Sequence, residues 1–372
     1  MAQHREDSTS SEMRYDWLAD RWVIMAPQRS ARPSDYVIGP PRELDNENCP
    51  FCGGHEACTP MAVATYKHAS HNSTRHNRFT QATRHAHCLE RWSVRVVPNK
   101  FPAVNSNLTS LVEPASFPVP AEDIDVNTSA INLFQRRDLN GGHEVIIESP
   151  QHLHSISQLD RESTRLVFTA YRDRLRHWLD ERGLAYGVVF KNVGLEAGAS
   201  LVHTHSQLIA TDTLPADVAR ASERMELFES KESACLFCRM AEDELEHRVR
   251  IVEQTPGFIA FCPFASRFPS MVTILPTNHQ PRFQTLSEPE LEQLSWLTHR
   301  LVRRIEHCYP DVAYNFIIHT SPNHLRRPDS FHWRIELFPR ITKVAGFEWG
   351  SDCYINPLAP ETAAAALRAA GV

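Results

Sequence analysis

The sequence has neither an excess of basic charge nor a long apolar run. Its 39 Lys and Arg are outnumbered by 45 Asp and Glu across 372 residues, for a formal net charge of −6. Such a balance lacks the footprint of a nucleic-acid binder, so an anionic substrate would have to be held by local Arg, Lys or backbone donors. No apolar stretch approaches the roughly 18 residues that read as a membrane span. The N-terminal "MAQHREDSTSSEMRYDW" is too polar for the core of a signal peptide. A cytoplasmic protein that binds neither nucleic acid nor membrane is the expectation. A disulfide framework is also missing. The nine cysteines are odd in number, and four of them form two C-x-x-C pairs, Cys49/Cys52 and Cys235/Cys238. In a reducing compartment such pairs point to metal or thiol redox chemistry.

What is present is organised as a repeat. "CPFC" is followed by the strand-like "HEVIIESP", then His152, a helical stretch from about 160 to 182, the strand "YGVVFKN" and His203. "CLFC" is followed by "SMVTILPTN", then His279, a helical stretch from about 288 to 307, the strand "AYNFIIHT" and His332. The two His-to-His intervals are 51 and 53 residues. Each half ends on a further strand, "THSQLIAT" or "HWRIELFP". Leu166, Tyr171, Leu175, Trp178 and Leu179 recur at helical spacing, while the strands are rich in Val and Ile. This order predicts an α+β fold, mostly antiparallel sheet with helices packed on it, divided into halves 1–210 and 211–372. Residues 66–90 and 103–130 read as surface loops, 211–234 as a partly helical connection, and Trp17, Trp22, Trp178 and Trp333 as core.

Two thiolates and two imidazoles complete the tetrahedral shell that zinc prefers. Site one would be Cys49, Cys52, His152 and His203; site two would be Cys235, Cys238, His279 and His332. Dithiol redox chemistry gives no reason for equivalent histidines to follow each pair, although buried thiols beside loop histidines remain the plainer alternative. With four protein ligands and no open position, both zincs would be structural. The histidines at 68, 71, 76, 85 and 87 lack organising spacing and read as a solvated loop.

The halves diverge after the last ligand. The first reads His203-Thr204-His205-Ser206-Gln207 and the second His332-Trp333-Arg334-Ile335-Glu336. Side chains two apart in a strand share a face, so a metal-held His203 would fix the display of His205. A neutral imidazole is available as a nucleophile at cytoplasmic pH, and its attack on phosphorus gives a phosphoramidate able to pass its nucleotidyl group on. Upstream, "NVGLEAGAS" offers Gly194, Gly198 and Ser200 as close donors to phosphate oxygens. Gln207 shares the face of His205 and could stabilise charge on the transferred group.

"HTHSQ" after "FKNVGLEAGAS", with "CPFC" upstream and "SPQH" between, resembles the galactose-1-phosphate uridylyltransferase family, a duplicated branch of the histidine triad superfamily. The N-terminal "DWLADRWVIMAPQRSARP" and "VPNKFPAV" extend the likeness over nearly the whole chain. The resemblance implies ping-pong nucleotidyl transfer, with His205 as covalent nucleophile, Gln207 as phosphoryl-binding glutamine, and Asn192, Gly198 and Ser200 near the α-phosphate. It also implies Asn99 and Phe101 on the nucleoside side, Arg29 and Arg32 facing phosphate, and a homodimer in which Glu348 of "KVAGFEWG" binds sugar phosphate across the interface.

Departures bear on substrate. Thr204 stands where the uridylyltransferases usually have proline, and Lys100 where some members are acidic. "WGSDCYINPLAPE" lacks the glutamine of the hexose site and is more similar to the ADP-glucose phosphorylase branch. The expected substrates are therefore a nucleotide sugar, UDP-hexose or ADP-glucose, and an acceptor that is hexose 1-phosphate or phosphate. Dinucleoside polyphosphate phosphorolysis is a third enzymatic option. The non-enzymatic alternative is a zinc-stabilised nucleotide-binding module.

Overall fold

The computed structural model describes residues 11–31, 47–68, 92–104, 139–323 and 325–371. The first half contributes β1 (Glu12–Asp16), β2 (Arg21–Met25), β3 (Ala64–Tyr66), β4 (Val94–Pro98), β5 (Gly141–Ile147), β6 (Tyr186–Val193) and β7 (His205–Thr211). The second contributes β8 (Ile251–Gln254), β9 (Phe258–Phe261), β10 (Val272–Pro276), β11 (Tyr314–His319), β12 (Arg334–Pro339) and β13 (Tyr354–Asn356). Ten of these strands form one antiparallel sheet in the order β3-β4-β5-β7-β6-β11-β12-β10-β9-β8. The order is palindromic: β5, β7 and β6 are answered by β10, β12 and β11, and the halves meet where Phe190 of β6 lies opposite Ile317 of β11. The expected α+β class and its duplicated plan are thus both present, within a single continuous sheet.

Two helices, α1 (Arg161–Arg176) and α4 (Glu288–Cys308), carry the repeat between strands. Asp160 caps α1 by accepting from Ser163 N–H at 2.7 Å, and Glu290 Oε2 accepts from Ser287 N–H at 2.8 Å to open α4. Leu166, Tyr171, Leu175 and Leu179 bury one stripe of α1 and its π-helical extension against the sheet, as their spacing predicts. A fully buried Leu or Ile side chain contributes about 1.5–3 kcal/mol. The same sheet face supplies Val94, Ile146, Val189 and Leu208 from one half and Ile274 and Ile318 from the other to one core. The opposite face differs between halves. On the second half it is covered by α2 (Ala216–Glu232) and α3 (Leu236–His247), with Met225, Leu236 and Phe237 packed on Ile259, Phe261 and Leu275. On the first half, among the described residues, the 49–52 turn packs Cys49 and Phe51 against Val145 and Ile147.

β1, β2 and β13 form a separate three-stranded sheet, with β13 parallel to β2. Here one expectation needs correction. Trp178 and Trp333 are core residues, but Trp17 and Trp22 are 55% and 50% exposed. They belong to a ribbon in which both rings pack on Tyr15, Trp17 edge-on and Trp22 tilted, and stay half exposed. Arg32, the histidines at 71, 76, 85 and 87, and nearly all of the two expected surface loops lie outside the described residues; His68 is exposed. Among the described residues no helix is long and apolar enough to cross a membrane.

Candidate active site and metal centres

Both Cys/His groups assemble. The ligand atoms of Cys49, Cys52, His152 and His203 lie within 4.8 Å of one another, as do those of Cys235, Cys238, His279 and His332. In each group the imidazoles turn Nδ1 toward the sulfurs. His203 Nδ1 is 3.5 and 3.6 Å from the sulfurs of Cys49 and Cys52, and His152 Nδ1 is 3.3 Å from Cys52. In the second group the corresponding separations are 3.6, 3.5 and 3.4 Å. Zn–S bonds of about 2.3 Å and Zn–N bonds of about 2.0 Å at tetrahedral angles require S···N edges of about 3.5 Å. Both groups therefore fit zinc in donor type and in spacing. Burial lowers His203 to about 4, leaving it neutral, and its Nε2–H donates to Ser149 O at 2.8 Å, which frees the Nδ1 lone pair for a metal. Burial, with the adjacent Cys49, pushes the Cys52 thiol up to about 11, a cost that a divalent cation would remove.

His205 opens β7 two residues beyond His203. Its Nδ1–H donates to His203 O at 2.7 Å, so the lone pair sits on Nε2, which has no protein partner among the described residues. Burial, reinforced by the charge of Lys191, lowers its pKa and keeps the ring neutral at physiological pH. Phe51 contacts one side of the ring, with centroids 5.2 Å apart. Thr204 and Ser206 point to the other face of β7, into a fully buried network. Lys191 Nζ donates to Glu148 Oε2 at 2.6 Å, to Thr204 Oγ1 at 2.9 Å and to the His205 carbonyl at 3.0 Å. Glu148 also accepts from Thr204 and Ser206 hydroxyls at 2.6 and 2.5 Å and from Tyr171 OH at 2.7 Å. Burial alone would raise the Glu148 pKa, but Lys191 and these donors bring it below the usual carboxylate range. The residue between the two histidines is thus a tie to a buried ion pair, a role that proline could not perform.

Gln207 follows on the face of His205. Its Oε1 accepts from His143 Nε2 at 2.8 Å and from Asn99 Nδ2 at 3.4 Å, while Asn99 Oδ1 accepts from Phe101 N–H at 2.8 Å. Phe101 itself is 83% exposed. On β6, Asn192 Oδ1 accepts from Asn315 Nδ2 at 2.8 Å, a contribution from the second half that turns the Asn192 amide donor toward the 194–200 loop. That loop needs its glycines. Gly194 has φ +80° and a β-carbon there would come within 2.8 Å of Ala313 Cβ, while Gly198 is left-handed at φ +86°. Ser200 is exposed at the loop's end. His205, Gln207, Asn99, Asn192 and the 194–200 loop thus share one side of the sheet.

Arg29 and Glu348 do not join this group through any hydrogen bond or ion pair among the described residues. Arg29 is exposed in the short 27–31 helix, and Glu348 Oε2 accepts from Ala345 N–H at 3.0 Å at the start of its own helix, α5 (Gly346–Ser351). At the matching place in the second half, Arg334 and Arg267 each donate to Glu336 at 3.2 Å, and His319 Nε2 lies 3.4 Å from the same carboxylate. His143, Glu148, Lys191 and Asn315 were not singled out from sequence. A charge inside each of the apolar runs "VIIES" and "GVVFKN" was the available signal for the ion pair, since buried charges require partners; nothing marked His143 or Asn315.

The chain thus combines a ten-stranded duplicated sheet, two Cys/His groups that fit zinc, and one histidine–glutamine pair whose Nε2 lone pair and amide hydrogens have no protein partner among the described residues. A family profile described as galactose-1-phosphate uridyl transferase, N-terminal domain, matches residues 1–215, and one described as a domain of unknown function (DUF4921) matches residues 121–369. The chain belongs to the galactose-1-phosphate uridylyltransferase family and is a nucleotidyltransferase of that family. It is 29% identical to the ADP-glucose phosphorylase of Arabidopsis thaliana over 97% of this chain and 93% of that one. It is 24% identical to the galactose-1-phosphate uridylyltransferase of Thermotoga maritima over 96% and 98% of the respective chains. The crystal structure of an Arabidopsis thaliana ADP-glucose phosphorylase with bound ADP-glucose superposes with a TM-score of 0.75 at 27% identity, covering 96% of this chain and 99% of that one. A uridylyltransferase structure at 24% identity, with a TM-score of 0.66 over 97% and 98% of the chains, shares the fold.

Proposed function

We propose that the protein takes the nucleoside monophosphate of a nucleotide sugar onto His205 and delivers it to a phosphate-containing acceptor, with ADP-glucose as donor and inorganic phosphate as acceptor. The observation that carries this reading is the pairing of a lone pair on His205 Nε2, fixed by the Nδ1–H bond to His203 O, with the Gln207 amide two residues along the same strand. In the first step Nε2 attacks the α-phosphorus. The bond from that phosphorus to the bridging oxygen breaks, and the sugar 1-phosphate leaves with the electron pair. In the second step an acceptor phosphate oxygen attacks, the P–N bond breaks, and its electrons return to Nε2. Neither step consumes a proton. The amide hydrogens of Gln207 and Asn192, with Ser200 and backbone donors near Gly198, would hold the nonbridging oxygens. Asn99 and Phe101 would lie along the nucleoside.

Zinc at both Cys/His groups supplies structure, and through His203 the first group fixes the backbone that carries the nucleophile. The half 1–210 performs the chemistry and the half 211–372 braces it. Arg29, Arg32 and Glu348 are assigned to sugar phosphate in a homodimer, where Glu348 would reach the site of a second copy. Four reduced thiolates at the metal groups favour a cytoplasmic location. Preference for ADP-glucose rests on the higher identity to an ADP-glucose phosphorylase and on Thr204 in place of proline. The test is a panel of donors labelled at the α-phosphate. ADP-glucose should label the protein, and phosphate should discharge the label as ADP. Labelling by UDP-glucose with discharge by a hexose 1-phosphate would shift the reading to uridylyl transfer. A protein that is labelled by neither donor would overturn it.

A further inference from the structure

We infer that His143 is a positioning residue that sets the direction of the Gln207 amide and ties it to the nucleoside-side turn; this rests on the reading of Gln207 given above. The argument begins with a side-chain amide whose oxygen and nitrogen are interchangeable in shape, so that its orientation is decided only by its neighbours. His143 stands on β5, diagonally across the ladder from Gln207, with Val145 directly opposite the glutamine. Its Nδ1 lies 3.1 Å from the backbone nitrogen of Ala103, which can only donate. The Nδ1 position is therefore an acceptor, and in a neutral ring the proton must sit on Nε2. Nε2–H then donates to the atom of Gln207 at 2.8 Å, which must be the oxygen. Asn99 imposes the same choice. Its oxygen is engaged by Phe101 N–H at 2.8 Å, so its amide nitrogen is a second donor and sends a hydrogen to Gln207 Oε1 at 3.4 Å; it lies 3.0 Å from His143 Nε2 because both donors converge on that oxygen, not because they bond to each other.

The consequence is directional. With two donors on its oxygen, Gln207 presents its NH2 away from the protein partners and toward the phosphoryl group that would sit at His205. The chain of bonds runs from the 99–103 turn to the reacting centre: Ala103 N–H to His143, His143 to Gln207, Gln207 to substrate. The backbone of that turn is fastened to His143 a second time, because Asn99 N–H donates to His143 O at 2.8 Å. A nucleoside that displaces or steadies this turn would therefore alter the grip of Gln207, which makes His143 a coupling point between base recognition and transfer.

Removing the donor should slow transfer without weakening ground-state binding, since the Gln207 bond gains strength as charge develops on the phosphoryl oxygens. His143→Leu is expected to lower the single-turnover rate of nucleotidyl-enzyme formation by about 10- to 100-fold, the range for groups that orient an active residue or donate to a developing charge. KM for the nucleotide sugar should change by less than about threefold. His143→Gln, which keeps a donor toward Gln207 and an acceptor toward Ala103, should restore most of the rate. In a Gln207→Ala background, His143→Leu should add little, because it acts through the residue already lost. Metal content and thermal unfolding of His143→Leu serve as the folding check. Full additivity of the two losses, or equal losses for His143→Leu and His143→Gln, would overturn the inference while leaving nucleotidyl transfer by the wild type intact. A wild type that forms no nucleotidyl-enzyme would remove this inference together with the function it rests on.

Discussion

Two halves of one sheet reach the same point in their repeats and resolve it in opposite ways. After its last metal ligand the first half places His205 and Gln207, and leaves the Nε2 lone pair of one and the amide hydrogens of the other without protein partners among the described residues. After its last ligand the second half places Arg334 and Glu336, whose charges are satisfied by each other and by Arg267, with His319 Nε2 3.4 Å from the same carboxylate. The covering layers among the described residues differ as well: α2 and α3 pack on the second half, and the turn at 49–52 packs on the first. Reactivity here is a matter of which polar groups are left unpaired on a common scaffold.

The largest effect should come from crossing the two positions. His205→Ala should reduce nucleotidyl-enzyme formation by about a thousandfold or more with metal content unchanged. Arg334→Ala should leave that rate within a few-fold and lower stability instead; loss of transfer in Arg334→Ala would break the division. Next come the metal groups. Cys49→Ser should reduce zinc from two to one per chain and cost activity and stability together, because binding energy at a structural site is folding energy. Cys235→Ser should cost stability first, as read by metal analysis and thermal unfolding on the same samples.

Glu336→Gln should destabilise by about 3–5 kcal/mol, the cost of leaving the buried Arg334 without its carboxylate. Burial alone would raise the pKa of Glu336, but His319, Arg334 and Arg267 hold it well below the carboxylate range. Its stabilisation is thus complete above the ordinary carboxylate pKa and is lost as pH falls through the lower folded value. The gap between wild type and Glu336→Gln in denaturant unfolding should narrow in strong acid and remain constant from pH 5 to neutrality. The smallest change is Thr204→Val. By removing the hydroxyl between Lys191 and Glu148 it should destabilise by about 1–3 kcal/mol and slow nucleotidylation modestly, since the same Lys191 holds the His205 carbonyl.

Much of this was legible in the sequence because repeats, helical stripes and C-x-x-C spacing are local patterns repeated in register. The strand–helix–strand order, both metal groups and the shared face of His205 and Gln207 follow from periodicity alone. The partners that orient those residues do not, since His143 reaches Gln207 across a strand ladder 64 positions away in sequence and Asn315 reaches Asn192 from the other half. Trp17 and Trp22 misled for a related reason. Residue type argues for burial, but a three-stranded ribbon has fewer layers to bury them.

The central claim is that one imidazole, His205, bonds covalently to phosphorus. Brief reaction with ADP-glucose labelled at the α-phosphate, quenching in base, where phosphoramidates persist, and peptide mapping would test it most directly. One equivalent of label per chain on the peptide carrying His205, absent in His205→Ala, is the expected result. Label on another residue, or full product formation by His205→Ala, would contradict it.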